Sequence, residues 1–225
     1  MISRAIRILS PGFIAIFSVT GISQFAAAQT EIPLVDIRSV DRTIAIELRY
    51  GGPHNITGHA LYPPGTLALV RPEVAKRLAV AQAYLRSNKY RLKIWDAYRP
   101  KSVQVQLWQA SRMNDYVADP GTPNGSFHSW GIAVDATLVD SRKRPVRMPT
   151  DFDDFSPAAM WTYQGDDPLI RSHLFILQTA MRKAGFYGMR AEWWHFTVSD
   201  WQKYVPYPAL EFTAQPPPQK SQHKL

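Results

Sequence analysis

Apolar residues that recur every three or four positions predict three helices. Pro72 occupies a favourable first-turn position, and the first helix is predicted to run from there to about Ser87. A second helix is predicted from Val103 to Met113, and a third ends before Gly185, which suits a helix C-terminus. The apolar faces of the first and third helices consist of Val74, Leu78, Ala81 and Leu85, and of Leu174, Leu177, Met181 and Ala184.

Shorter segments with alternating or continuous apolar residues predict strands. They are the alternating residues 44–48, residues 92–96 ending at Asp96, the apolar run Ile132 to Val139, and the aromatic, β-branched segment Trp193 to Val198. Helices and strands follow one another without a regular βαβ rhythm. The pattern therefore predicts an α+β fold in a single compact domain, with a small mixed or antiparallel sheet and flanking helices.

The two ends of the chain differ from this central domain. Residues 1–28 combine the basic residues Arg4 and Arg7, an apolar stretch and the small residues Ala26–Ala28, which predicts a signal peptide cleaved before Gln29. An uncleaved membrane anchor is the alternative, but the apolar run is short for a span. Residues 29–212 form the predicted domain, and the Pro- and Gln-rich residues 213–225 a disordered tail. We expect an exported, periplasmic protein without stable membrane insertion after cleavage.

Composition excludes several kinds of site. The chain contains no cysteine, which rules out a thiol nucleophile, an iron–sulfur cluster and a thiolate zinc site. The net charge of +8 could indicate nucleic-acid binding, but the basic residues are scattered and export argues against such a partner. Any metal must therefore be held by His, Asp or Glu.

Two short clusters contain the residue types of a metal centre. Ser126 to Asp135 supplies His128 and Asp135, and Glu192 to His195 supplies a second carboxylate and a second imidazole. A catalytic zinc takes three nitrogen or oxygen ligands and leaves one position for water. His128, Asp135 and His195 would meet that count, with Glu192 as the general base. The residue types by themselves leave open which acid is the ligand and which is the base.

The spacings in both clusters require the chain to bend. His128 and Asp135 are seven positions apart, so on one straight strand they would point to opposite faces; Gly131 is the expected place for a bend. Glu192 and His195 are three apart, which predicts a turn or a bulge between them.

A third feature is the segment Trp95 to Pro100. Arg99 on a turn after a strand could direct its guanidinium at negative charge that develops in a reaction, or could simply pair with Asp96. Simpler interpretations also exist for the clusters: His128 as a surface loop residue, and Glu192 with His195 as an ion pair beside core tryptophans.

Taken together, these residues resemble a known family. The pattern Ser126-x-His128-x-x-Gly131-x-Ala133-x-Asp135, followed by Glu192-Trp193-Trp194-His195, resembles the zinc D,D-peptidases. Further stretches resemble the dipeptidase branch of the type linked to vancomycin resistance, and the likeness extends from about Val40 to Tyr207. These stretches are residues 48–50, 55–58, 95–100 and 148–153.

The resemblance implies a fold, a reaction and roles for individual residues. One Zn²⁺ per chain would be held by His128, Asp135 and His195, in a fold shared with Hedgehog-type domains. Glu192 would act as base and acid, and free D-alanyl-D-alanine would be hydrolysed to two D-alanines. The remaining implied site residues are Arg99 for the transition state, Asp153 near the substrate ammonium, and Ser126 for substrate positioning.

Two alternatives remain open beside the dipeptidase. A D,D-carboxypeptidase or endopeptidase acting on peptidoglycan stem peptides would use the same zinc chemistry in a more open cleft. A zinc-bearing binding module would lack catalysis, although Glu192 and Arg99 argue against it. Phe127 and Trp130 are bulkier than the resemblance leads one to expect, so the substrate pocket could differ.

Overall fold

The computed structural model describes residues 33–111 and 116–204 and confirms an α+β domain. The predicted signal peptide, the predicted tail and the last residues of the second predicted helix lie outside these ranges. No helix within the described residues has the length and apolarity that a bilayer crossing requires.

A five-stranded mixed sheet forms the centre of the domain. Its spatial order is β2-β4-β5-β7-β6, with β2 parallel to β4 and the other neighbours antiparallel. A separate two-stranded antiparallel sheet pairs β1 with β3. The strands are β1 (Val35–Asp36), β2 (Ala45–Ile46), β3 (Leu69–Val70), β4 (Tyr90–Asp96), β5 (Ala133–Asp140), β6 (Phe186–Gly188) and β7 (His195–Val198).

Three helices accompany the sheet: α1 (Pro72–Ser87), α2 (Lys101–Ala110) and α3 (Pro168–Lys183). The helix α1 packs against β4, α3 packs against β5 and β6, and the two helices contact each other, so both cover the same face of the sheet. The apolar stripes predicted for α1 and α3 are buried, because a 3.6-residue period places those side chains on one side; Ala184, the last residue of the second stripe, is buried just beyond the end of α3.

Several predicted boundaries shift in the structure. The helix α2 begins at Lys101 because Pro100 supplies the extended residue before it, and it ends at Ala110. Strand β7 begins at His195 rather than Trp193, since residues 192–195 form a turn. At the end of α3 the capping residue is Ala184, and Gly185 follows it with a φ of 81°. Strand β2 retains only two residues of its predicted stretch.

Candidate active site

Three acidic or imidazole side chains occupy neighbouring positions on three adjacent strands of the sheet, β4, β5 and β7. Asp96, at the end of β4, is the cross-strand partner of Asp135, and Asp135 is the partner of His195 at the start of β7. A bulge at Trp95 shifts the register just before Asp96. The sheet register therefore assembles these residues from three separate parts of the sequence.

His128 reaches the same place from a short 3₁₀ turn, Phe127–Trp130, that precedes β5. The Ser126 hydroxyl accepts a hydrogen bond from the backbone N–H of His128 at the start of the turn. Gly131 ends it with a φ of 70°, in the left-handed region that glycine adopts without strain. This is the bend expected at Gly131. His128 is only 2% exposed, so the alternative of a surface loop histidine is wrong.

Three potential metal ligands converge on one point. His128 Nε2 lies 3.2 Å from His195 Nδ1 and 3.4 Å from Asp135 Oδ1, and the last two atoms are 3.1 Å apart. A tetrahedral zinc with bonds of about 2.0–2.1 Å holds neighbouring ligand atoms about 3.3 Å apart. The triangle formed by the three atoms fits such an ion.

The outer nitrogen of each imidazole is already engaged. His128 Nδ1 lies 2.8 Å from the carbonyl oxygen of Ala97, which can only accept, so Nδ1 carries the proton and Nε2 of the neutral ring presents a lone pair. His195 Nε2 lies 3.0 Å from the Thr197 hydroxyl. Outer partners of this kind hold metal-binding imidazoles in the required tautomer and orientation.

Glu192 stands directly beside this triangle. Its Oε2 is 3.9 Å from His195 Nδ1, which is too far for a hydrogen bond, and its side chain lines the same cavity. Burial raises the pKa of Glu192 well above its usual value, and the nearby Asp135 and Asp153 raise it further, whereas Arg99 lowers it. A carboxyl group in this environment holds a proton more tightly than a solvent-exposed glutamate does.

Arg99 is fixed in a buried polar network. Its Nε and Nη2 donate to Asp96 Oδ2 at 2.9 and 2.7 Å, and its Nη1 donates to Gln104 Oε1 at 2.8 Å. The guanidinium also lies over the ring of Tyr50, and Nη2 is 3.7 Å from Asp135 Oδ2. The predicted pairing with Asp96 is therefore present, and it holds the guanidinium at the edge of the metal-binding triangle.

Asp153 lies in the same cavity with a left-handed backbone, at a φ of 57°. Its carboxylate accepts hydrogen bonds from the backbone N–H of Ile56 at 3.0 Å and from the Tyr50 hydroxyl at 3.3 Å. Burial raises the pKa of Asp153 to about 7, although the Ile56 hydrogen bond opposes this shift. An acid held in a strained conformation within a cavity is typical of a functional site.

The cavity that joins these residues has a volume of about 360 Å³, within the range of sites for small molecules. Its walls bring together all seven residues singled out from the sequence, Ser126 included. They are Arg99, Ser126, His128, Asp135, Asp153, Glu192 and His195.

A family model described as D-ala-D-ala dipeptidase matches residues 30–215. The chain belongs to the D-alanyl-D-alanine dipeptidase family. It is 34% identical to a D-alanyl-D-alanine dipeptidase of Escherichia coli K12, over 73% of this chain and 84% of that one. It is also 31% identical to a D-alanyl-D-alanine dipeptidase of Enterococcus faecalis, over 62% of this chain and 75% of that one.

A solved structure of the vancomycin-resistance D,D-pentapeptidase VanY with Zn(II) is a more distant match. It has a TM-score of 0.39 and 14% identity and covers 61% of this chain and 77% of that one, too weak a likeness to bear on fold or function. Family membership rests on the sequence matches and confirms the predicted family and enzyme class, a zinc metallopeptidase.

Electrostatics within the dipeptidase site favour metal binding. Burial alone would raise the pKa of Asp135, but His128 and His195 bring it well below its usual value, so this carboxylate is ionised. Burial lowers the pKa of His195, which favours the neutral imidazole. Metal ligands must be deprotonated, and both shifts keep them so at neutral pH.

Several residues that support the dipeptidase site are not evident from the sequence. The sequence indicates Asp96 only as a possible partner of Arg99, yet Asp96 is fully buried, accepts a 2.6 Å hydrogen bond from Tyr62 and lies 3.4 Å from His128 Nδ1. No local pattern marks Tyr50 or Gln104 as a contact of Arg99. A charged residue at the end of an apolar strand, as in Ile94-Trp95-Asp96, was the one available signal for Asp96.

Proposed function

We propose that the protein hydrolyses free D-alanyl-D-alanine to two D-alanines, with one zinc ion held by His128, Asp135 and His195. The convergence of their three ligand atoms within 3.4 Å of one another, with the carboxyl group of Glu192 3.9 Å from His195 Nδ1, supports this assignment most directly. When bound there, zinc supplies a coordinated water with a pKa of about 7 and polarisation of the scissile carbonyl.

Glu192 would act as general base and then as general acid. Its carboxylate takes a proton from the attacking water and later delivers it to the leaving amine nitrogen. Its raised pKa suits the second transfer, because a more basic carboxylate retains the proton until the C–N bond breaks. Its position beside His195 Nδ1 supports this role.

Arg99 would stabilise the oxyanion of the tetrahedral intermediate. Asp96 and Gln104 fix three of its donor contacts, so the guanidinium is oriented before substrate arrives. A preoriented charge in a buried site stabilises the transition state more than a mobile one, because the site need not reorganise during the reaction.

Asp153 and Ser126 would position the substrate. The carboxylate of Asp153 is the proposed partner of the free ammonium of the dipeptide, and its place in the cavity supports this pairing. The hydroxyl of Ser126 lies in the same wall while capping the turn that carries His128.

Export to the periplasm and recycling of cell-wall dipeptides complete the proposal. The match to the family begins at residue 30, after the predicted signal peptide, which supports a domain that starts near Gln29. A periplasmic dipeptidase would meet D-alanyl-D-alanine released during peptidoglycan turnover.

Metal analysis and substrate specificity test the proposal together. The purified protein should contain one zinc per chain, lose activity with a chelator, regain it with Zn²⁺, and cleave D-alanyl-D-alanine but not L-alanyl-L-alanine. His128→Ala should abolish both zinc binding and hydrolysis, whereas His54→Ala, an exposed histidine outside the cavity, should leave both unchanged.

The free amino terminus of the substrate provides a further test. N-acetyl-D-alanyl-D-alanine should be a poor substrate, because acetylation removes the ammonium that Asp153 is proposed to bind. Efficient cleavage of the acetylated form with little cleavage of the free dipeptide would instead indicate a carboxypeptidase that acts on stem peptides.

A further inference from the structure

Two aromatic rings stack on each other at the wall of the dipeptidase cavity. The rings of Tyr116 and Phe155 have centroids 4.7 Å apart and an interplanar angle of 26°, and both residues line the cavity. They belong to segments far apart in the sequence. Tyr116 lies between α2 and β5, whereas Phe155 lies between β5 and α3. The stack therefore links two separate walls of the site.

Tyr116 belongs to a segment that is anchored to the site. Next to Tyr116, Val117 is buried, and the carbonyl oxygen of Ala118 accepts a 2.7 Å hydrogen bond from Gln104, the residue that also binds Arg99. Stacked aromatic pairs supported in this way resist separation.

Phe155 is supported from the other side of the cavity. Its ring packs against the core and lies 6.4 Å from the ring of Trp194. Two residues earlier, Asp153 is fixed by hydrogen bonds from Ile56 and Tyr50. The side of the cavity that receives the substrate amino group under the proposed function is thus continuous with the stack.

We infer that the Tyr116–Phe155 stack restricts the enzyme to substrates with a free amino terminus at the penultimate D-residue. This inference rests on the proposed function, since Asp153 there marks the position of the ammonium. Asp153, Tyr116 and Phe155 all line the one cavity, and under this inference a residue added to that terminus meets the stacked rings, which would have to separate to admit it. The substrate class selected is the unextended D,D-dipeptide.

The test compares a dipeptide with the same dipeptide extended by one small residue. The ratio of kcat/KM for Gly-D-Ala-D-Ala to that for D-Ala-D-Ala is measured for the wild type, Tyr116→Ala and Phe155→Ala. We expect either substitution to raise this ratio about tenfold or more, because loss of either ring removes the stacking contact that would exclude the added residue. The double variant should exceed the single variants by little, since the two rings act as one unit.

Three variants serve as controls. Tyr116→Phe and Phe155→Tyr keep both rings and should keep the wild-type ratio. Phe175→Ala removes an aromatic ring that is 64% exposed on α3 and lies outside the cavity, so it should change neither the ratio nor activity on the dipeptide. If Phe155→Ala does not fold, Tyr116→Ala, whose ring is not part of the buried core, still decides the question.

The outcomes separate this inference from the proposed function. An unchanged ratio in Tyr116→Ala, with the dipeptide still hydrolysed, would refute the role of the stack and leave the dipeptidase intact. A wild-type enzyme that cleaves Gly-D-Ala-D-Ala as well as the dipeptide would also refute it. Absence of D-Ala-D-Ala hydrolysis by the wild type would contradict the proposed function itself.

Discussion

The carboxylate of Asp96 accepts two hydrogen bonds from the guanidinium of Arg99, at 2.9 and 2.7 Å, where both side chains are buried. The same oxygen, Asp96 Oδ2, lies 3.4 Å from His128 Nδ1, and Tyr62 donates to the other oxygen. One acidic side chain thus orients the proposed oxyanion-stabilising cation and lies against a proposed metal ligand. Asp96 is a positioning residue on this geometry.

The Asp96–Arg99 pair leads to a prediction on kcat. Arg99→Lys should reduce kcat by about 10²–10³-fold, because a lysine ammonium cannot make the two-point contact that orients the guanidinium. Asp96→Asn should also reduce kcat, and the double variant should lose much less than the product of the two effects, since both changes disturb one unit. Steady-state kinetics of the three variants provide the measurement.

A matched surface pair controls for general electrostatic effects. Asp140 and Arg144 form a 2.7 Å ion pair far from the cavity, so Asp140→Asn should leave kcat unchanged. Strictly multiplicative losses for Asp96→Asn and Arg99→Lys would show that the residues act independently.

Glu192→Gln should separate catalysis from metal binding. The amide fills the same space but cannot accept the proton of the attacking water, so kcat should fall by about 10²–10⁴-fold. Zinc content should stay at the wild-type level, because Glu192 is not among the converging ligand atoms. Kinetics and metal analysis of the same preparations check both points, with Glu73→Gln on the exposed surface of α1 as the control. Full activity in Glu192→Gln would exclude it as the base.

Asp153 should make the stability of the protein depend on pH. Its pKa is about 7 in the folded protein, above its usual value of 3.8, so between these pH values the folded state holds a proton that the unfolded chain has lost. Stability from this group is therefore lost as pH rises toward 7. The free energy of unfolding of Asp153→Asn, taken relative to that of wild type, should therefore be higher at pH 8 than at pH 4. The difference should be a few kcal/mol, because each pKa unit corresponds to about 1.4 kcal/mol.

Urea unfolding at the two pH values, with a chelator present, measures this difference without competition between protons and metal. Asp154→Asn, at the exposed neighbouring position, is the matched control. Equal effects of Asp153→Asn at pH 4 and pH 8 would contradict a raised pKa at this site.

Gly131→Ala should destabilise the turn that carries His128. The glycine has a φ of 70°, and an added Cβ would lie 2.7 Å from Leu34 Cδ2. A left-handed alanine costs about 1–2 kcal/mol, so with the contact the free energy of unfolding should fall by about 1–3 kcal/mol. Gly51→Ala, where a Cβ would meet nothing within 4 Å, should change it by much less in the same denaturation experiment. Equal stabilities would show that the turn tolerates a side chain.

Local patterns in the sequence predicted a helix, a bend in the site and the family of this protein. The periodicity at residues 72–87 gave α1 at its observed bounds, because the spacing of apolar side chains on one face needs no knowledge of distant contacts. The seven positions between His128 and Asp135 required a bend, and Gly131 provides it. The motifs around Asp135 and His195 indicated the family, and the comparisons confirm it.

The tertiary structure alone decided how these pieces meet. Sheet register places Asp96, Asp135 and His195 side by side, and no local pattern specifies which residues of distant strands face each other. The same reason explains why the buried role of Asp96 and the Tyr116–Phe155 stack were not predicted, since each depends on contacts between segments far apart in the chain. The sequence by itself determined the residue types and the local bends of the site; long-range packing determined their distances, their burial and the shape of the cavity.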